Sequence, residues 1–105
     1  MINLDVYLDR KYNSTTNNCG HFVNEVWRDL TGEVLDIYDI TPDLPRRFKK
    51  LRKPEEPCFC LMQAHLLPPH IGIYINKKIL HFSETGVKHD SIANIIPYYR
   101  LSYYR

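Results

Sequence analysis

At 105 residues the chain is long enough for one hydrophobic core and too short to divide into two, so it is expected to fold as a single domain over residues 1–105. Its 44% apolar and 25% charged residues, with only four Gly and seven Pro, exclude a disordered, collagen-like or low-complexity chain. A net charge of +2 gives no more than a mild preference for anionic partners, and three cysteines cannot all pair within one chain, which points to thiols made reduced in a cytoplasm.

The opening residues carry Asp5 and no long apolar stretch, unlike a secretory leader, and no later run approaches the roughly 20 apolar residues of a membrane span. Asn17 and Asn18 are suited to cap a helix. Phe22, Val23, Val26, Trp27 and Leu30 follow at helical spacing until Gly32 supplies a stop. Cys19 lies one turn before Val23 on the same stripe, which aims it at the body of the protein. Between Glu33 and Pro57, four prolines and many charges predict a surface connection with one short helix around Leu44 to Leu51. The basic run Arg46, Arg47, Lys49, Lys50, Arg52 and Lys53 reads as a solvated helix face, drawn if anything to an anionic polymer, because no nucleic-acid-binding fold surrounds it.

Cys58 to Gln63 predicts a strand, Pro68 and Pro69 a break, and His70 to Ile75 a second strand in which Ile71, Ile73 and Ile75 alternate with His70, Gly72 and Tyr74. Cys58 and Cys60 are expected in the core, since C-x-C within a strand lacks the hairpin spacing of zinc sites. Ile79 to Ser83 predicts a third strand after a tight turn. Tyr98 to Arg105 predicts another, its tyrosine pairs combining core packing with protection of a sheet edge. One helix followed by consecutive strands implies an α+β domain with an antiparallel sheet of about four or five strands.

A cysteine in the first turn of a helix sits where unpaired N–H groups and the helix dipole favour a thiolate. To cleave an amide it also needs a proton carrier, and imidazole suits that role. His21 is two positions from Cys19, about 200° around the helix, and points away. His65 and His89 fall in segments read as loops with nothing to hold them. His70 opens a strand anchored by its isoleucines. If Asn76 and Lys77 form a two-residue turn, Ile75 pairs with Lys78 and Gly72 with His81, placing His81 on the face of His70 and diagonal to it. A three-residue turn would put the two histidines on opposite faces. Asn suits the required positive φ, although Lys77 is a poorer choice than Gly.

The blocks Asn18-Cys19-Gly20-His21-Phe22-Val23 and His70-Ile-Gly-Ile-Tyr-Ile-Asn-Lys-Lys-Ile-Leu-His81 resemble the two signature blocks of the NlpC-type cell-wall peptidases, with the CHAP-type amidases as a related second group. The resemblance runs from about residue 5 to about residue 84 and implies a papain-like core, the Cys19 helix packed on the sheet and the site at their junction. It implies Cys19 as nucleophile, His70 as base and His81 as the residue orienting it. Tyr12 is the candidate near the oxyanion site and Tyr7 the second choice. The implied activity is that of a cysteine hydrolase, a thiol peptidase or amidase cutting an amide bond in peptidoglycan stem peptides, with no metal or organic cofactor. This sequence departs from the family at Asn18-Cys19-Gly20-His21, where Asp-Cys-Ser-Gly is usual, so the particular stem-peptide bond does not follow.

With no leader and no wall-binding module in view, delivery in a phage tail or a secretion apparatus is the expectation, with action at the cell wall as part of a virion or secreted complex. Two other readings share these residues. One is a protein deamidase or transglutaminase-like acyltransferase on the same fold, and the other a non-catalytic structural module of such an assembly, in which Cys19 is a buried core residue, His70 a strand-end surface histidine and His81 a satisfied buried histidine.

Overall fold

The computed structural model describes residues 3–11, 19–35 and 44–105, with the backbone alone for Cys19. After a single 3-10 turn at Asp5–Tyr7 come helix α1 (Cys19–Thr31), the one-turn helix α2 (Leu44–Arg47) and strands β1 (Lys50–Leu51), β2 (Cys58–Gln63), β3 (His70–Ile75), β4 (Lys78–Ser83) and β5 (Gly86–Asp90). A second short helix, α3 (Ile92–Ile95), leads to β6 (Arg100–Tyr104). The strands form one antiparallel sheet in the order β1-β6-β2-β3-β4-β5. The mixture of helix and antiparallel sheet is the α+β architecture expected.

α1 forms where the apolar spacing predicts it and ends at Gly32, whose φ of 78° reverses the chain while its N–H donates to the Arg28 carbonyl at 2.8 Å. The expected caps, Asn17 and Asn18, lie outside the described residues. The stripe Phe22, Val23, Val26 and Trp27 is buried against Phe59, Leu61, Ile71, Ile73, Ile75, Leu80 and Phe82. Trp27 stacks on Phe59 at 4.1 Å between ring centroids and donates its indole N–H to Glu33 Oε1 at 2.8 Å, so the one polar atom of the ring is satisfied as the ring is buried. Cys60, Met62 and Ile79 project from the other face of the sheet and form a smaller cluster with Ile95 of α3, joined by Tyr74, Tyr99, Leu101 and Tyr103. The segment from β5 to β6 therefore crosses that second face.

The hairpin between β3 and β4 has the two-residue turn that the parity argument required. Asn76 and Lys77 take φ of 52° and 65°, Ile75 pairs with Lys78, and Gly72 pairs with His81. Glu56 accepts a hydrogen bond from the Lys77 backbone N–H and ties this turn to the start of β2.

Four expectations need correction. Among the described residues the sheet has six strands rather than four or five, because β1 and β5 are edge strands held by backbone pairing and lack the apolar alternation that announces a strand. The segment expected to be helical from Leu44 to Leu51 is helical only to Arg47. Beyond it Lys49 exchanges two backbone hydrogen bonds with Arg105, at 3.0 Å each, which draws the basic run from helix into strand. β6 lies between β1 and β2, so its tyrosines do not guard an outer edge. Alternation sends Tyr104 into the α1 core and Tyr103 to the opposite cluster, and Tyr98 is exposed before the strand begins. His89 is in β5, not a loop, where its Nε2–H donates to the Ile75 carbonyl at 2.8 Å. No described helix is long and apolar enough to cross a membrane.

Candidate functional site

His70 opens β3 and His81 sits two residues off register on β4, so both project from the sheet face opposite α1. Their rings meet edge to face, with His70 Nε2 3.0 Å from His81 Nδ1. Between them lies Gly72, directly opposite His81. A Cβ there would stand 2.8 Å from Ile79 Cγ2, 2.8 Å from the Leu80 carbonyl oxygen and 3.1 Å from His81 Cβ. The glycine is thus required for β3 and β4 to bring the two imidazoles together.

The next strand extends the line. His81 Nε2 is 2.8 Å from Asp90 Oδ2, with the His81 side chain 12% exposed and that of Asp90 36%. Lys88 pairs with His81, so Asp90 stands two residues beyond it. His70, His81 and Asp90 accordingly form one diagonal across three adjacent strands. Asp90 was not among the residues singled out from the sequence. The signal was nevertheless available, because continuing the parity count around a Glu84-Thr85 turn pairs Ser83 with Gly86 and brings Asp90 diagonal to His81.

Burial pushes the imidazole of His70 down from 6.5 to about 4, with the neighbouring His81 adding to the effect, so His70 is neutral near pH 7. The two buried thiols of β2 are in the opposite condition. Burial raises that of Cys58 and takes that of Cys60 up to about 12, which leaves both un-ionised and inert as nucleophiles.

Cys19 is the first residue of α1, and its side chain lies outside the described part of the structure. The direction of α1 is clear from its neighbours. Phe22 packs on Phe82 at 5.1 Å, and Phe82 is one residue short of the end of β4 beside the start of β3. Trp27 stacks on Phe59, which pairs with Ile73 farther along. The first turn of α1 therefore lies over the end of the sheet at which His70 begins. Because the stripe of α1 and the histidines occupy opposite faces, a cysteine and His70 can approach each other around the start of β3 and not through the sheet.

Tyr12 lies outside the described residues. Tyr7, the second choice, is buried along α1 with its hydroxyl donating to Asp29 Oδ2 at 2.6 Å. Asp29 is about 15 Å along the helix from Cys19. That hydrogen bond holds the Asp29 carboxyl below its ordinary range, while burial, and then the same bond, raises the phenol; the Tyr7 ring packs edge-on to Phe22 and its hydroxyl is directed at Asp29, away from Cys19. His65 is exposed in the connection from β2 to β3. Among the described residues no three His, Cys, Asp or Glu side chains are grouped as a metal-ligand set. A groove of about 890 Å³ at the β1–β6 edge is lined by Lys50, Arg52 and Arg100 among others, and none of the candidate site residues borders it.

No protein-family model matches the chain, and no curated protein matches it.

Proposed function

We propose that this protein is a papain-like cysteine hydrolase, akin to the NlpC-type peptidases, that cleaves an amide bond in bacterial peptidoglycan stem peptides. The observation that carries the proposal is the contact of His70 with His81 at the end of the sheet over which α1 starts. His70, neutral near pH 7, is the group assigned to take the Cys19 thiol proton. The thiolate adds to the substrate carbonyl, and the backbone N–H of Cys19 supports the oxyanion in the first turn of α1. His70 returns the proton to the departing amine. It then removes one from water, whose oxygen displaces the thiolate and releases the acid. The NlpC-like blocks around Cys19 and His70 supply the substrate class, and delivery in a phage tail or secretion apparatus belongs to the same proposal.

The test is digestion of purified peptidoglycan by the wild type and by Cys19→Ala, with fragments read by mass spectrometry. New amino termini or free stem peptides released only by the wild type are expected. The same assay with a glutamine-bearing protein substrate distinguishes a deamidase by ammonia release. A second reading, a structural module of a larger assembly, is favoured by Leu66, Leu67, Ile96 and Tyr98, which are exposed in the two segments flanking the His70 end of the sheet. Absence of any release, together with a Cys19 that does not react with iodoacetamide, would decide for that reading.

A further inference from the structure

We infer that Asp90 is a positioning residue that sets the proton on His70 from two side chains away. A carboxylate accepts hydrogen bonds and donates none, so the 2.8 Å contact with Asp90 Oδ2 requires His81 to carry a proton on Nε2. In the singly protonated ring Nδ1 is then an acceptor, and the 3.0 Å contact with His70 is made by His70 Nε2–H. Each step leaves one choice for the next, and the last leaves Nδ1 of His70 without a proton. The burial of His81, 12% exposed, limits the water that could offer it another partner. Gly72 supports the same chain by permitting the close approach of β3 and β4 beneath it.

The inference rests on the hydrolase reading for its use, since only a base needs that lone pair, but its geometry stands without it. A donor in place of the carboxylate would run the chain backwards, putting protons on His81 Nδ1 and His70 Nδ1 and blocking the atom that should accept the thiol proton. Asp90 touches no reacting atom in this arrangement, so its role is exerted wholly through His81.

Long-range ¹H–¹⁵N NMR of the imidazoles at neutral pH reads these tautomers directly. The wild type is expected to hold His70 and His81 in the Nε2–H form by about tenfold or more, the preference conferred by a hydrogen bond to a charged group. In Asp90→Asn the amide can donate as well as accept. The Nδ1–H form of His70 should then rise to a comparable share, and turnover and alkylation of Cys19 should fall by about 10²-fold or more, as the same exchange does in the Ser-His-Asp triad. Asp90→Glu should keep the wild-type tautomers. A wild type with its proton on His70 Nδ1 overturns the inference without any variant, and so does an Asn variant with unchanged tautomers and rate. Expected tautomers in a protein that releases nothing from peptidoglycan would leave the relay standing and remove the hydrolase, whereas active protein indifferent to Asp90→Asn would do the reverse.

Discussion

The two faces of β3 and β4 are built from alternate residues of the same strands, yet they are held by different forces. Towards α1 they present Ile71, Ile73, Ile75, Leu80 and Phe82, which are buried with the helix stripe in one apolar cluster. Away from it they present His70, Gly72, Tyr74, Ile79 and His81, where close approach and hydrogen-bond satisfaction matter as much as volume. The first face is thus tolerant of chemistry but not of lost volume. The second is intolerant of a single added methyl group and of a change in which nitrogen carries a proton. Damage to the first should appear as lost stability, and damage to the second as lost chemistry in a folded protein.

The sharpest way to break this contrast is Phe59→Ala. Phe59 is fully buried and stacked on Trp27, with Phe48 edge-on at 4.9 Å, so its removal should cost about 3–5 kcal/mol, read from urea unfolding. The His70–His81 contact should persist in whatever fraction remains folded.

On the other face, His70 makes stability depend on pH. Its native pKa of about 4 lies below the ordinary 6.5, so between those values the unfolded chain binds a proton that the native one refuses. Stability from this group is complete above about pH 6.5 and declines as pH falls towards 4, by roughly 3 kcal/mol in all. Unfolding at pH 7 and pH 4.5 checks this, with His70→Gln as the reference that lacks this contribution to the slope.

Gly72→Ala is expected to cost about 1–3 kcal/mol, because the new Cβ meets backbone as well as side chain at 2.8 Å. It should lower turnover further than the stability loss explains, since His81 must move. The smallest effect belongs to the turn joining the strands. Lys77 is held at a φ of 65°, and Lys77→Gly should stabilise by about 1 kcal/mol without altering either face, measured by thermal unfolding. A large loss of activity in that variant would show that the register of the hairpin, and with it the histidine contact, is less securely set than the pairing implies.

Much of this architecture is local and could be read before any folding was considered. The stripe from Phe22 to Leu30 with Gly32 after it specifies α1, and the alternation of His70 to Ile75 specifies β3, because each pattern suits one backbone period and disfavours the other. The Asn76-Lys77 turn fixes parity, and parity alone brought His81 to the side of His70. The residues that could not be read are those whose place is decided by a distant partner. β1 is a strand because the C-terminal end of the chain pairs with it, and His89 lies in a strand because β5 pairs with β4, its ring donating a hydrogen bond to the Ile75 carbonyl. Tyr7 resembles an oxyanion donor in sequence and becomes a brace only when Asp29 receives its hydroxyl. Periodicity determined which face each side chain would take, but long-range pairing decided what stood opposite it, because hydrogen-bonded partners such as His81 and Asp90 meet only when strands are laid side by side.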